Sequence, residues 1–319
     1  MFTNGTPGSI LAVRLGAMGD IIHTIPAVAW LKRTYPRAAV SWLVESKWAD
    51  LLEHNPYVDE VIRVNRQSWR SALACCRELR ARRFDLAVDF QGLLKSAIPA
   101  AVSRAAHVVG FAAPRERLAK YFYHRRVAVS EGHVVERYLK LAEAAGANPG
   151  VIECPMPAGR PEGDLPARDF VLASPFAGWE GKQWPMEYYG TLGALLQQKL
   201  GLELVLNGAP AAAATLAAVP HTSTHLSSLA GLIHATRRAT AVIGPDSGPL
   251  HLAAALVKPG VAIFGPTDPA RNGPYGKSFV VLRSPRAVTT YKRARSVDSS
   301  MRDVTPQQVL AALEERMGA

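Results

Sequence analysis

The chain has 319 residues, of which 48% are apolar and 20% charged, and a formal net charge of +11; these values are typical of a soluble globular protein with room for two domains. No apolar run reaches the roughly 18 residues that a membrane-spanning helix requires, and residues 1–8 lack the pattern of a secretory signal, so we expect a cytoplasmic protein. Cys75, Cys76 and Cys154 have the spacing of neither a disulfide framework nor a C-x-x-C metal site.

Residues 1–155 alternate between strand-like and helix-like segments. The first strand is followed by a glycine turn and by a helix with helical apolar spacing. Strands are predicted at 10–15, 40–45, 60–64, 85–89 and 107–112, and helices at 21–34, 47–54, 69–82, 93–102 and 133–145. Such alternation predicts an α/β domain with a mostly parallel sheet.

Residues 146–166 are rich in proline and glycine and lack apolar periodicity, so the domain boundary is placed there, between residues 155 and 156. The strand and helix alternation then resumes and predicts a second α/β domain over residues 156–319. Strands are predicted at 170–174, 202–206, 241–243, 261–264 and 280–282, and helices at 186–199, 231–240 and 250–256. Thr305 and Pro306 fit the start of a last helix, which is expected either within the second domain or packed back on the first.

Two turns between a strand and a helix combine glycine with a carboxylate. The first (LGAMGD) ends in Asp20, and the second (GPDSG) contains Asp246, Ser247 and Gly248. Free backbone N–H groups and a helix N-terminus at such turns favour a phosphate. Neither turn has the third glycine of a dinucleotide fingerprint or a Walker lysine. Taken alone, Asp20 fits an N-cap as well as a general base at the end of a strand.

Positive charge is concentrated in the first half of the chain. Residues 1–155 hold 21 Lys/Arg and 14 Asp/Glu, against 16 and 12 in residues 156–319. This excess fits a nucleic acid, an acidic membrane surface or a phosphorylated substrate, but it also fits solubility alone. Two clusters stand out, and the second follows a predicted strand, where α/β folds bind ligands. The clusters are Arg77, Arg80, Arg82 and Arg83, and Arg115, Arg117, Lys120, Arg125 and Arg126.

Five motifs are spaced along the chain: LGAMGDIIHTIPA (15–27), DFQGLLKS (89–96), KQWP (182–185), GPDSGPLH (244–251) and FGPTDP (264–269). Their order and spacing resemble the ADP-heptose:lipopolysaccharide heptosyltransferases from about residue 9 to the C-terminus. The resemblance is closest to heptosyltransferase I, which adds the first heptose to the Kdo sugar of the inner core. It implies the GT-B fold, in which two Rossmann-like domains with parallel sheets face a central cleft, the acceptor binding the N-terminal domain and the nucleotide sugar the C-terminal one.

The same resemblance implies a reaction and residues for it. The reaction is the inverting transfer of L-glycero-D-manno-heptose from ADP-heptose to the Kdo of Kdo2-lipid A, in lipopolysaccharide inner-core biosynthesis. Asp20 matches the family's catalytic aspartate and is expected to take the proton of the acceptor hydroxyl. Lys182 is expected to stabilise charge on the leaving diphosphate in place of a tightly held metal. The other expected donor contacts are Asp246, Ser247, Gly248 and His251.

Acceptor contacts are expected on the basic N-terminal domain, because the acceptor carries carboxylates and phosphates at an anionic membrane surface. We therefore expect a protein that is peripheral on the cytoplasmic face of the inner membrane and binds no nucleic acid. No cofactor is expected to be required, and a divalent metal is expected at most to stimulate the reaction. The acceptor contacts expected are Arg115, which matches a family position, and Arg117, Lys120, Lys95 and Gln91, with Arg66 and Arg70 as further acceptor or membrane contacts.

The chain departs from the family on the donor side. Alanines occupy residues 211–214, where heptosyltransferase I enzymes carry acidic residues and one is expected to bind the ribose. Ala177 and Gly178 stand where a hydroxyl-bearing pair is expected. A different donor, or backbone contacts in place of side chains, would accommodate both departures.

Two other functions stay open. One is a related GT-B heptosyltransferase, either similar to heptosyltransferase II or acting on another acceptor. The other is a non-catalytic protein that binds anions or a membrane surface. The second is disfavoured because Asp20, Lys182 and Asp246 lie in motif contexts that anion binding alone does not require.

Overall fold

A computed structural model describes residues 6–65, 67–290 and 292–318. The chain divides into two compact units, the first ending at Pro157 and the second beginning at Ala158. Each unit contains a six-stranded sheet in which neighbouring strands are parallel. The predicted α/β class with two Rossmann-like domains is therefore confirmed. Within the described residues, no helix combines the length and the apolar character needed to cross a bilayer.

The first unit has helices on both sides of its sheet. Its strands are β1 Ser9–Val13, β2 Ala39–Glu45, β3 Glu60–Val64, β4 Leu86–Asp89, β5 His107–Phe111 and β6 Arg125–Val127. Its α-helices are α1 Met18–Thr34, α2 Trp69–Arg82, α3 Leu94–Val102 and α4 Val134–Ala144, and its 3₁₀ helices are Ser46–Leu52 and Arg117–Phe122. The sheet order is β3-β2-β1-β4-β5-β6. α1 packs against α4, whereas α2 packs against α3 and α3 packs against the second 3₁₀ helix.

One helix of this unit differs in type from the prediction, and two short elements had not been predicted. The helix predicted at 47–54 is a 3₁₀ helix, and the unpredicted elements are the 3₁₀ helix Arg117–Phe122 and β6. β6 is a three-residue edge strand whose two arginines are exposed, so it lacks the alternation of apolar and polar residues that identifies a strand.

The second unit repeats this architecture. Its strands are β7 Phe170–Ala173, β8 Glu203–Gly208, β9 Ser223–Leu226, β10 Ala241–Pro245, β11 Gly260–Phe264 and β12 Phe279–Arg283. Its α-helices are α5 Met186–Leu200, α6 Ala213–Ala217, α7 Leu229–Arg238, α8 Gly248–Ala255, α9 Pro269–Asn272, α10 Ser299–Arg302 and α11 Pro306–Met317, and its 3₁₀ helices are Glu180–Lys182 and Pro210–Ala212. The sheet order is β12-β11-β10-β7-β8-β9. Six short elements had not been predicted: β9, α6, α9, α10 and the two 3₁₀ helices.

The last helix begins where the sequence predicted. The Thr305 hydroxyl accepts a hydrogen bond from the Gln308 N–H, and the Gln308 side chain accepts one from the Thr305 N–H, which is a capping box. α11 packs on α5, β11 and β12. Its buried residues Val309 and Leu313 join the apolar core of the second unit, which also contains Trp184.

Both sheets have the strand order of a Rossmann fold when each is counted from its own first strand. The order changes direction between β1 and β4 in the first sheet, and between β7 and β10 in the second. Ligands of α/β sheets bind beside such switch points, at the carboxyl ends of the strands. The segments that follow these four strands contain Asp20, Gln91, Lys182 and Asp246.

Candidate functional site

At the switch point of the first sheet, a buried arginine supports Asp20. Arg14 directly follows β1 and is only 5% exposed. Its Nη2 lies 2.6 Å from Asp20 Oδ2, and its Nη1 donates to the backbone oxygen of Phe90 at 2.6 Å. The guanidinium also lies over the Tyr138 ring, 5.2 Å from the centroid. Burial disfavours the charged form, but the attraction of Asp20 and of nearby groups outweighs it and raises the pKa of Arg14.

Asp20 lies in the first turn of α1, and its side chain is 42% exposed. Oδ2 accepts a hydrogen bond from the Ala17 N–H at 3.2 Å, so Asp20 does stabilise the start of the helix. The ion pair with Arg14 uses the same oxygen. Among the described residues, no hydrogen bond engages Oδ1. The capping role and a role as a base are therefore compatible, because they require different oxygens.

The segment after β4 is organised by a buried carboxylate, Asp89. Asp89 accepts hydrogen bonds from the Tyr123 hydroxyl at 2.6 Å and the Ser96 hydroxyl at 2.9 Å. Burial raises its pKa, although these hydrogen bonds oppose the shift. Gln91 accepts a hydrogen bond from the Leu15 N–H at 2.9 Å through its side-chain oxygen. Asp89 thus organises the loop after β4, and Gln91, together with the hydrogen bond from Arg14 to Phe90, joins that loop to the one after β1.

Two of the predicted acceptor residues, Lys95 and Arg115, lie on adjacent segments. The Leu94 N–H donates to the Glu116 carboxylate at 2.6 Å, which ties the start of α3 to the segment after β5. A Cβ at Gly92 (φ +69°) would lie 3.4 Å from the Arg115 nitrogen. Lys95 is half-buried, and Arg115 is exposed.

The other predicted basic contacts lie on the 3₁₀ helix that packs on α3. Arg117 is exposed and Lys120 is half-buried. Arg70, on α2, is also exposed, whereas Arg66 lies outside the described residues. The exposed cations of this region are available to an anionic ligand.

The second switch point contains a buried ion pair. Lys182 is 9% exposed and lies in the 3₁₀ helix after β7, where its Nζ is 2.8 Å from Asp246 Oδ2. The ammonium also lies 4.3 Å from the centroid of the Trp179 ring. His251 Nε2 is 3.4 Å from Asp246 Oδ1. Burial alone would raise the pKa of Asp246, but His251 and Lys182 lower it to about 2.

The start of α8 offers hydrogen-bonding groups to a ligand. Ser247 is the N-cap, and Gly248 is the first helical residue, so backbone N–H groups of the first turn lack partners within the helix. The buried polar atoms that have no hydrogen-bond partner among the described residues include Ser247 Oγ, Trp179 Nε1 and Thr267 Oγ1, which lie in the segments after β10, β7 and β11. Buried polar atoms are nearly always paired in proteins. A phosphate at the N-terminus of α8 would satisfy Ser247 and is favoured by the helix dipole.

The donor-side departures lie at the ends of neighbouring strands. Residues 211–214 span the 3₁₀ helix after β8 and the start of α6, and present only methyl groups. A Cβ added to Gly178, after β7, would meet no atom within 4 Å.

Within residues 6–65, 67–290 and 292–318, no three His, Cys, Asp or Glu side chains are grouped so as to hold a metal ion.

Three residues of these sites were not singled out from the sequence: Arg14, Asp89 and Trp179. Arg14 did carry a signal, since it is a charged residue inside the apolar run 10–15, and a buried arginine requires a partner. Asp89 and Trp179 lie in or beside quoted motifs, but their contacts depend on residues distant in sequence or on local backbone geometry.

Comparisons with known proteins cover both units. Residues 72–300 match the model of glycosyltransferase family 9 (heptosyltransferase). Lipopolysaccharide heptosyltransferase 1 of Escherichia coli K12 is 32% identical over 311 residues, covering 87% of this chain and 94% of that protein. Its counterpart in Pseudomonas aeruginosa is 34% identical over 303 residues, covering 86% and 83%. The solved structure of E. coli heptosyltransferase WaaC with ADP has a TM-score of 0.78 at 27% identity and covers 97% of this chain and 99% of that one.

Proposed function

The chain belongs to glycosyltransferase family 9, the heptosyltransferases, as its five motifs predicted, and we propose that it transfers L-glycero-D-manno-heptose from ADP-heptose to the Kdo of Kdo2-lipid A. The observation that carries the proposal is Asp20, a partly exposed carboxylate that is paired with the buried Arg14 through one oxygen, while its other oxygen has no hydrogen bond within the described part of the chain. Relatives named lipopolysaccharide heptosyltransferase 1, and a solved relative with ADP, support the choice of donor and acceptor.

In the proposed reaction, Asp20 is the general base. Its Oδ1 takes the proton of the attacking Kdo hydroxyl, and the hydroxyl oxygen forms a bond to C1 of the heptose. The bond from C1 to the diphosphate oxygen breaks, and ADP leaves from the opposite face, so the configuration at C1 is inverted. Arg14 positions Asp20 through Oδ2 and leaves Oδ1 for the acceptor.

The second unit is proposed to bind ADP-heptose and to stabilise the leaving group. Negative charge grows on the diphosphate as the C1 bond breaks. The Lys182 ammonium, the Ser247 hydroxyl and the free backbone N–H groups in the first turn of α8, that of Gly248 included, would stabilise it. Asp246 is not suited to contact a phosphate, because both are anions. We assign it, together with His251, to holding the Lys182 ammonium in place.

Recognition of the ribose is proposed to rely on backbone groups, because residues 211–214 offer no carboxylate. Neither a cofactor nor a metal ion is proposed for the reaction, since Lys182 and the start of α8 supply positive charge at the diphosphate. Measuring heptose transfer with and without a chelator tests whether a metal ion is needed. We expect the enzyme to keep most of its activity in the presence of the chelator.

The first unit is proposed to bind the acceptor. Arg115, Arg117 and Lys120 would pair with acceptor phosphates and carboxylates, for which arginine offers bidentate hydrogen bonds. Lys95 lies on the segment adjacent to Arg115 and would add a further cation. The protein would then work as a peripheral protein on the cytoplasmic face of the inner membrane.

The test is transfer of heptose from ADP-heptose to Kdo2-lipid A by the wild type, by Asp20→Asn and by the matched control Glu131→Gln, an exposed carboxylate of the same unit. Loss of a general base lowers turnover by about 10²- to 10⁴-fold, so Asp20→Asn should lose activity while its calorimetric affinity for ADP stays unchanged. Glu131→Gln should behave as the wild type. Binding of ADP without transfer would reject the acceptor, and failure to bind ADP would reject the donor.

A related heptosyltransferase with another acceptor is the second candidate. The alanines at 211–214 favour a relative other than heptosyltransferase I itself, because they stand where the resemblance to heptosyltransferase I places acidic residues; they lie on the donor side and do not bear on the acceptor. Offering the enzyme an acceptor that already carries one heptose separates the two. Transfer to that acceptor alone would select the second candidate.

A further inference from the structure

One side of the first sheet is covered by a layer of three helices: α2, α3 and the 3₁₀ helix Arg117–Phe122. Their inward side chains, including Cys75, Leu79, Ala97 and Ala119, belong to the buried core. The outward side of the layer carries five of the ten large apolar side chains that are exposed among the described residues. They are Trp69 (71% exposed), Leu73 (43%), Ile98 (41%), Leu118 (59%) and Tyr121 (67%), and we call them the docking face.

The segment of the chain that carries the docking face is strongly basic. Residues 69–127 contain twelve Lys/Arg and four Asp/Glu, a formal charge of +8 in a chain whose total is +11. Arg70 lies over the Trp69 ring at 5.6 Å from the centroid. Lys120 and Arg126 lie over the Tyr121 ring at 5.3 Å and 5.7 Å. Cations therefore lie directly beside the two aromatic side chains of the docking face.

α2 shows the pattern most clearly. Trp69, Leu73, Arg77 and Arg80 follow one another at helical spacing on its exposed stripe, opposite the buried Leu79. A helix with apolar side chains and Lys/Arg on its free surface is suited to lie in the interface of an anionic bilayer. Tryptophan and tyrosine are the side chains enriched at that depth.

We propose that the docking face seats the protein on an anionic lipid bilayer, with its apolar side chains entering the headgroup region and the cations of the same segment contacting lipid phosphates. The inference rests on the proposed function, because the proposed acceptor is a lipid. It adds which surface of the protein contacts the bilayer and which side chains enter it. Single-stranded nucleic acid is a poorer occupant. Leu73, Ile98 and Leu118 have no aromatic face on which a base could stack, whereas they gain by leaving water.

The test is binding to vesicles that contain no acceptor. We expect the wild type to co-sediment with phosphatidylglycerol vesicles, weakly with phosphatidylcholine vesicles, and less in high salt. Trp69→Ser/Leu73→Ser should bind the anionic vesicles about tenfold less. The matched control is Val257→Ser/Val288→Ser, which removes two side chains of the second unit that are 75% and 77% exposed, and it should bind as the wild type.

A second pair of variants tests the charge. Arg77→Gln/Arg80→Gln should bind anionic vesicles about tenfold less, whereas the exposed pair Lys199→Gln/Lys277→Gln of the second unit should bind as the wild type. All these side chains are exposed, so thermal unfolding should be unchanged. Fluorescence adds a direct readout, because the emission of Trp69 should shift to the blue with vesicles, and this shift should be absent in Trp69→Phe.

Transfer assays separate this inference from the proposed function. With an acceptor stripped of its acyl chains, Trp69→Ser/Leu73→Ser should be as active as the wild type, and it should be slower only when the acceptor is embedded in vesicles. Vesicle binding that depends on Trp69 and Leu73 without any heptose transfer would reject the proposed function and keep the docking face. Vesicle binding that is unchanged in Trp69→Ser/Leu73→Ser would overturn the inference, as would a dimer in sedimentation velocity that these changes dissolve.

Discussion

Each of the two switch points of this enzyme contains an ion pair between a basic residue and an aspartate, but the two pairs differ in how far the aspartate is exposed. In the first unit the cation is buried and the carboxylate reaches solvent, since the Arg14 and Asp20 side chains are 6% and 42% exposed. In the second unit both members of the pair are buried, since the Lys182 and Asp246 side chains are 11% and 9% exposed. Two sheets with the same strand order therefore each have an ion pair at the switch point, but the pair lies after one strand in the first unit and joins the segments after two strands in the second, and its surroundings differ.

The difference determines which group is available for chemistry. A buried cation that binds one carboxylate oxygen leaves the other oxygen of Asp20 able to accept a proton. A buried carboxylate held by Lys182 and His251 is unsuited to that task, because its pKa is lowered to about 2 and its basicity is correspondingly weak. We therefore expect the first pair to matter for proton transfer and the second for placing a cation, and substitutions in the two pairs to have unequal effects on stability.

Lys182→Met is expected to have the largest effect. It leaves the Asp246 carboxylate buried beside His251 without its lysine partner, and removing one member of a buried pair typically costs about 3 kcal/mol or more. Turnover should also fall by about 10²-fold or more, because a donor to the leaving diphosphate is lost. The measurements are urea unfolding and steady-state transfer.

Two variants make this expectation specific. Lys199→Met, at an exposed site near the end of α5, should change stability by less than about 0.5 kcal/mol. Lys182→Met/Asp246→Leu should recover much of the lost stability, because an apolar pair can replace a buried ion pair, and yet it should remain inactive. Equal stability of Lys182→Met and the wild type would contradict the role given to the pair.

Asp246→Asn should have a smaller effect that depends on pH. The pKa of Asp246 is lowered in the folded protein to about 2, from 3.8, so its ionised form stabilises the fold at any pH above the unfolded value. That contribution, roughly 2 kcal/mol, should be lost as the pH falls from about 4 to about 2. Urea unfolding of the wild type and the variant at a series of pH values measures it. The difference between them should shrink over this window, whereas the exposed control Asp164→Asn should differ little from the wild type throughout.

The sequence predicted the positions of these sites better than their contacts. Strand ends and glycine turns depend on local patterns, so Asp20 and Asp246 could be placed at turns that lie beside the switch points. The partner of Asp20 could not be chosen, because the pairing with Arg14 depends on the path of the turn between them. The ion pair of Lys182 and Asp246 joins residues 64 positions apart, and no local pattern encodes that distance.

Local sequence patterns did not predict several short elements either. β9 pairs with β8 from Val205 to Gly208, and His225, inside β9, is buried and hydrogen-bonded to Asn207. A strand stabilised by buried polar contacts has little apolar alternation to reveal it. The docking face could not be predicted from the sequence for a different reason. Trp69 and Leu73 have the composition of core residues, and only the fold shows which side of α2 is buried.

Arg14→Met is expected to have the smallest effect on stability and therefore tests the comparison most directly. The change to methionine is the same as at Lys182, but the carboxylate left behind is partly exposed and can be hydrated by water. The expected cost is about 1 kcal/mol, mainly for the lost hydrogen bond to the Phe90 carbonyl. The rate of heptose transfer should fall by more than this loss of stability explains, because Asp20 loses the contact that orients it. The affinity for ADP, measured by calorimetry, should not change. Suppose instead that Arg14→Met lowered the free energy of unfolding as much as Lys182→Met. Exposure of the remaining carboxylate would then not explain the difference between the two ion pairs, and Arg14 would have to be regarded as a structural residue of the first unit.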